Sequence, residues 1–201
     1  MHHGHGLIDW AVVRRLWLGS LSASALTLLW MQQQPVGSAG FGFWKLVIAV
    51  VVLMTALGML FQPRLQAMGR KWRISDGETF KAWQPVATVL AGAVLGVFVT
   101  LTSIGAGALG AVFLAYLYPL RMTPPRLIAT DIAHAIPLAV FAGLGHLLLG
   151  NVDVGLLGNL LLGFIPAVMA GAAIGARLQH GVLRVLLAAV LLTLGTKLWW
   201  G

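Results

Sequence analysis

The stretch that decides the fold is Thr102-Ser103-Ile104-Gly105-Ala106-Gly107-Ala108-Leu109-Gly110, which lies in the middle of a longer run without charge, Gln84–Leu120. A continuous helix over these 37 residues would rise about 55 Å, whereas the hydrocarbon core of a bilayer is about 30 Å thick. The run must therefore break or fold back inside the membrane. Irregular backbone at that depth is tolerated only where it faces protein or water, and in transporters it commonly lines the substrate site.

The composition of the chain indicates an all-α, polytopic helical membrane protein that sits in the lipid bilayer. Of its 201 residues, 59% are hydrophobic and only 9% are charged, against about 25% charged residues in an average soluble domain. The net charge of +8 does not predict nucleic-acid binding, because the basic residues gather in loops and leave no basic face. The absence of cysteine excludes thiolate metal sites, and neither a metal nor a cofactor is expected.

Apolar segments predict about six or seven membrane-spanning segments. The candidates are Val12–Met31, Lys45–Phe61, Pro85–Thr100, Gly107–Tyr118, Leu127–Leu149, Val154–Ala176 and Leu183–Trp200. The fourth has about 12 residues where a crossing needs about 20. It is therefore predicted to be a half-helix or the returning arm of a hairpin.

The positive charges orient these segments, because basic loops stay on the cytoplasmic side. Arg14 and Arg15 place the start of the first span inside, and residues 63–83 are predicted to form a basic cytoplasmic loop. Arg121 and Arg126 place the end of the Gly-broken run inside again, so this run is expected to enter and return on one side. The predicted location is the bacterial plasma (inner) membrane.

An internal repeat divides the chain into two related halves. At a constant offset of 144 residues, five residues recur: Gly6, Asp9, Leu16, Leu18 and Gly19 match Gly150, Asp153, Leu160, Leu162 and Gly163. Residues 1–62 are then a remnant of the first repeat with two spans, and residues 84–201 are the complete second repeat. A counterpart of the Gly-broken run is expected before the first copy, so the chain resembles an N-terminally incomplete transporter. Inverted repeats with a site between them are a common transporter plan.

Three motifs are similar to those of the sulfite exporter TauE/SafE family of membrane permeases: Leu101-Thr-Ser-Ile-Gly-Ala-Gly-Ala-Leu-Gly110, Ala129-Thr-Asp-Ile-Ala-His-Ala-Ile-Pro137, and Gly145-His146 with Gly150-Asn-Val-Asp153. The resemblance covers most of residues 84–200 and, more weakly, residues 5–62. It implies two halves that each open with a Gly-rich motif. It also implies a permease that moves sulfite, a sulfonate or a related small anion.

The candidate substrate-binding residues lie in the Gly-broken run: Thr102, Ser103, Gly105, Gly107 and Gly110. They offer hydroxyls and unshielded backbone N–H groups. If the next half-helix starts near Gly105, its positive end points at an anion. The alternative is a tight packing turn between two helices.

Asp131 and His134 are the proton-coupling candidates, because they lie at i and i+3 on one face of the fifth span. A carboxylate in the membrane costs about 2.5–3.5 kcal/mol on insertion scales, which makes it a functional candidate, and histidine changes protonation near neutral pH. The alternative places Asp131 at the interface, paired with Arg126. A metal site that includes His146 is not expected, because His134 and His146 lie about 18 Å apart along one helix.

Two other functions compete with the permease. One is a non-transporting membrane subunit or truncated permease remnant, and homo-oligomerisation is compatible with the sequence. The other is an intramembrane enzyme with Ser103 as nucleophile and His134 as base, but no nucleophile motif surrounds Ser103. The protein is therefore not expected to be an enzyme.

Overall fold

The computed structural model describes residues 6–33, 41–75, 77–102, 108–175 and 180–200. They form helices and no strand: α1 (Trp10–Gln32), α2 (Phe41–Ser75), α3 (Gly77–Thr102), α4 (Ala108–Leu117), α5 (Pro124–Leu148), α6 (Val154–Gly175) and α7 (His180–Trp200). Within the described ranges, four helical segments are long and apolar enough to cross a membrane: Lys45–Ile74, Gly77–Thr102, Pro124–Leu148 and Val154–Ile174. The prediction of an all-α polytopic membrane protein is confirmed.

α1 packs against α3 in parallel. Gly92 of α3 lies against the backbone of Leu16, and Gly96 lies one turn further along against the backbone of Ser20. A Cβ on either glycine would overlap α1, so the two backbones approach closely because these positions carry no side chain. The buried face of α1 includes Ser20, Ser24 and Thr27, which is a polar face for a helix in the middle of a membrane protein.

α5 lies along the other side of α1 and is also parallel to it. The backbone N–H of Asp9 donates to Thr130 Oγ1 at 3.1 Å near the start of both helices. Leu28 packs against Gly145 near their ends. The starts of α1 and α5 therefore share one end of the molecule, and their ends share the other.

The charge-free run folds back on itself, as predicted. α3 ends at Thr102 and α4 begins at Ala108, and the five residues between them lie outside the described ranges. Gln84 Nε2 donates to the carbonyl of Leu117 at 2.5 Å, and the hydroxyls of Thr88 and Tyr118 are 2.7 Å apart. The start of α3 thus lies beside the end of α4. We call α3, α4 and their connection the broken hairpin.

The basic stretch 63–83 is helical on both sides of residue 76, where the sequence predicted a loop. α2 continues through Pro63 to Ser75, and α3 begins at Gly77. Arg73 Nη1 donates to the carbonyl of Gly77 at 2.8 Å across the connection. The stretch contains three Arg, two Lys, two Ala and one each of Leu, Gln and Met, all good helix formers. Positive charge indicates the side of the membrane, but it does not stop a helix.

α6 differs from α1 in packing, although their first residues, Val154 and Trp10, lie 144 positions apart like the repeated motifs. Gly19 of α1 touches the backbone of Val89, whereas nothing lies within 4 Å of a Cβ placed on Gly163, its counterpart. None of the residues in the apolar window of α6 is buried among the described helices. α1 therefore packs closely against a neighbouring helix, whereas α6 makes few contacts with the other described helices.

Candidate functional site

The two proton-coupling candidates lie on the inner face of α5. Asp131 is 5% exposed and His134 is 0% exposed. This face also carries Leu127, Thr130, Leu138 and Ala142, all buried. The i, i+3 spacing therefore directs both polar side chains into the protein, as the sequence indicated.

Asp131 packs against α4. A Cβ on Gly110 would overlap Asp131 Oδ1, and this oxygen is buried with no hydrogen-bond partner among the residues that the structure describes. The structure does not pair Asp131 with Arg126, which binds Asp9 instead. It brings together Gly110 and Asp131, two residues that the sequence assigned to separate roles.

His134 is held by two residues of α1. Its Nε2 lies 3.0 Å from Ser20 Oγ, and its backbone carbonyl accepts from Trp17 Nε1 at 3.2 Å. Its Nδ1, like Asp131 Oδ1, is buried and has no partner in the described part of the chain. Buried polar atoms are nearly always hydrogen-bonded, so two unpaired atoms on one helix face indicate a place for a proton or a water molecule.

A cavity of about 440 Å³ lies at the other end of α5, where α3 ends. We call it the break cavity. Its polar lining consists of Thr100, Thr102, His146 and Asn151, and the rest is mostly apolar. Ligand cavities typically have about 300–1,000 Å³. The volume is therefore ample for a small anion with some water.

His146 forms a hydrogen bond with the last turn of α3. Its Nε2 lies 2.7 Å from the backbone carbonyl of Thr100, in the last turn of α3, where carbonyls lack a partner within the helix. A carbonyl can only accept, so Nε2 carries the hydrogen. Thr100 Oγ1 in turn lies 2.6 Å from Ser24 Oγ on α1. α1, α3 and α5 are thus joined by hydrogen bonds beside the break cavity.

The predicted substrate-binding residues have different positions. Thr102 lines the break cavity, and its hydroxyl donates to the carbonyl of Phe98 at 2.7 Å. Gly110 lies against Asp131 instead. Ser103, Gly105 and Gly107 lie outside the described residues. Of the His, Asp and Glu side chains that the structure describes, no three are grouped so that they could hold a metal ion.

The sequence pattern includes His146 and Asn151 only as part of a family-like motif, and it assigns neither of them, nor Thr100, to the substrate site. Thr100 lies two residues before Thr102, so a signal was present in the hydroxyls that precede the glycines. His146 and Asn151 lie in the third motif shared with the family, but no local pattern directs them to a cavity. His146 on α5 and Asn151 just after this helix reach the break cavity because α5 runs back along the hairpin to the end of α3.

The opposite end of the molecule carries an ion cluster, which we call the arginine cluster: Asp9, Arg121 and Arg126. Arg121 Nε lies 2.6 Å from Asp9 Oδ2, and Arg121 Nη2 donates to Oδ1 at 2.9 Å. Arg126 Nη2 lies 3.3 Å from Oδ2. The cluster joins the start of α1 to the α4–α5 connection.

The matches to known proteins extend over nearly the whole chain. The family model described as "Sulfite exporter TauE/SafE" matches residues 1–198. The chain is 30% identical over 205 residues to "Probable membrane transporter protein YjnA" of Bacillus subtilis (strain 168), and the alignment spans 98% of this chain and 76% of that protein. No solved structure matches the chain.

Proposed function

Because this chain belongs to the sulfite exporter TauE/SafE family, we propose that it carries a small anion, sulfite or an organosulfonate, across the bacterial plasma membrane. The family makes it a multi-pass membrane transporter and not an enzyme. The family's description supports sulfite. An organosulfonate presents similar sulfur-bound oxygens, so the same donors would bind it.

The break cavity is the observation that carries this proposal. It brings two threonine hydroxyls, an imidazole and a carboxamide to the point where α3 ends. Hydroxyls, amides and imidazole N–H groups can all donate to oxyanion oxygens, and the Thr102 hydroxyl and His146 Nε2 would do so by exchanging the backbone carbonyls that they bind here. α4 begins at Ala108, on the far side of the break, and the positive end of a helix also favours an anion.

Asp131 and His134 are proposed to carry the proton that accompanies the anion. Both are buried, and each has an atom that finds no partner among the described residues. A carboxylate inside the membrane is costly to ionise, so an acidic residue kept there is a functional candidate. Asp131 lies against Gly110 of α4, so a change of charge there acts directly on the returning arm of the broken hairpin.

Sulfite flux into proteoliposomes tests the proposal, with Thr102→Val compared with Thr196→Val. Both hydroxyls donate to the carbonyl four residues earlier, but Thr196 lies on α7, outside the break cavity. Loss of a hydrogen bond to a charged group costs about 1.5–3 kcal/mol, so T102V should raise the half-saturating sulfite concentration at least about tenfold. T196V should leave it unchanged. Equal values for the two variants would exclude the break cavity as the substrate site.

The same vesicles distinguish the substrates. Unlabelled sulfite, taurine, sulfate and chloride are added in turn as competitors of labelled sulfite. Competition by sulfite and taurine alone supports a sulfur-oxyanion site that tolerates an organic substituent. Wild-type vesicles without sulfite or taurine flux would overturn the substrate assignment.

A further inference from the structure

The arginine cluster contains more positive charge than it neutralises. Two guanidinium groups share the single carboxylate of Asp9, which is 3% exposed, while the side chains of Arg121 and Arg126 are 49% and 27% exposed. Among the described residues, no second carboxylate pairs with either arginine. The cluster therefore has one uncompensated positive charge in a partly buried place, where it is poorly screened by water.

The two arginines are bound unequally. Arg121 contacts both oxygens of Asp9, through Nε at 2.6 Å and Nη2 at 2.9 Å. This two-point contact is the strong arrangement for a guanidinium and a carboxylate. Arg126 reaches Asp9 through Nη2 at 3.3 Å, and its Nε is buried with no acceptor in the described ranges. Arg126 is thus the arginine with an unused donor.

We propose that the arginine cluster is a binding site for an oxyanion that presents at least two oxygens. A guanidinium binds such a group through two parallel N–H donors. Arg126 exchanges its single contact with Asp9 for a two-point contact with the ligand, and this satisfies Nε. Arg121 keeps Asp9 in place throughout, so α1 stays anchored to the α4–α5 connection.

Two sources present this chemistry at a membrane surface. One is a free oxyanion such as sulfite or sulfate, and the other is the phosphate of an anionic lipid headgroup. The cluster lies at the end of the molecule where α3 starts and α4 ends, because Gln84 contacts Leu117 there. The proposal concerns binding alone and does not depend on the transport assignment.

Calorimetric titration of the purified full chain in detergent with sodium sulfite or sodium sulfate tests the free-oxyanion source. Arg126→Gln should weaken binding at least about tenfold, because it removes a charged hydrogen-bond donor. Asp9→Asn should strengthen binding, because it removes the competing charge. Arg70→Gln is the matched control, since Arg70 is an exposed cation next to Gly69, which touches Tyr116 at the same end of the molecule.

Nanodiscs of phosphatidylglycerol or phosphatidylcholine test the lipid source. A lipid site predicts a higher unfolding temperature in phosphatidylglycerol for the wild type and for R70Q, and no such difference for R126Q. Binding of sulfite or sulfate that R126Q weakens supports the proposal and identifies a free oxyanion. Stabilisation by phosphatidylglycerol that R126Q abolishes also supports it and identifies a lipid. The proposal is overturned if neither sulfite nor sulfate binds and the two lipids stabilise the wild type equally. The proposal is also overturned if D9N and R126Q leave the affinity for the oxyanion unchanged. Because D9N is expected to bind the oxyanion more tightly, a misfolded variant cannot imitate the expected result.

Discussion

Gly110 of α4 and Asp131 of α5 touch so closely that no side chain fits on residue 110 beside the buried carboxylate. The contact joins the returning arm of the broken hairpin to a buried carboxylate of α5, one of the helices long and apolar enough to cross a membrane. The sequence assigned Gly110 to the substrate and Asp131 to the proton. Their contact instead suggests that Gly110 transmits the charge state of Asp131 to the hairpin.

Gly110→Ala tests this contact. The added methyl group must displace Asp131 Oδ1, and overpacking of this kind typically costs about 1–3 kcal/mol. The unfolding temperature in detergent should fall. It should recover in the double variant G110A/D131A, because alanine at position 131 removes the overlapping atom. If the decreases in unfolding temperature of the two single variants simply add up in the double variant, the two residues do not interact.

Asp131→Asn should uncouple transport from protons. Asparagine keeps the shape of the side chain but cannot ionise, so sulfite flux should no longer respond to an imposed pH gradient, while exchange of labelled for unlabelled sulfite continues. Asp153→Asn is the control, because Asp153 Oδ1 only accepts from Leu156 N at an exposed helix start. A D131N protein that still concentrates sulfite in response to the gradient would assign the proton to another group.

Ser20→Ala should destabilise the protein through His134. Ser20 is fully buried, and its removal leaves His134 Nε2 without a partner in an apolar interior, at a cost of about 1–3 kcal/mol. Ser22→Ala on the same helix is the control, since its exposed hydroxyl donates only to the carbonyl of Leu18. Thermal unfolding in detergent should separate the two variants. Equal unfolding temperatures for the two variants would mean that the Ser20–His134 contact does not stabilise the protein.

Local patterns in the sequence predicted the parts of the fold that depend on local physics. The charge-free run exceeds the bilayer thickness, so its return followed from length alone, and the spacing of Asp131 and His134 placed both on one face of α5. The basic stretch 63–83 was misassigned because charge was taken as evidence for a loop. There, water can solvate the charged side chains while the backbone stays helical.

Long-range partners were beyond a reading of the sequence. Asp9 and Asp153 occupy the same place in the repeat, yet Asp153 caps its own helix while Asp9 binds Arg121 and Arg126, more than one hundred positions away. No local pattern distinguishes these two uses of one residue type. The difference arises because α1 is packed between α3 and α5, whereas α6 has no such neighbours in the part of the chain that the structure describes.

His146→Phe tests whether the break cavity is on the substrate path. Phenylalanine keeps a ring of similar size but removes the donor that binds the carbonyl of Thr100, so the end of α3 loses its partner and the cavity loses a polar group. The half-saturating sulfite concentration should rise at least about tenfold. His146→Gln, which restores an N–H donor, should recover part of this loss. Leu148→Phe adds a ring at an 87% exposed position of the same helix and should leave flux unchanged. If H146F transports like the wild type, the anion does not pass His146, and the path must run on the other side of α3.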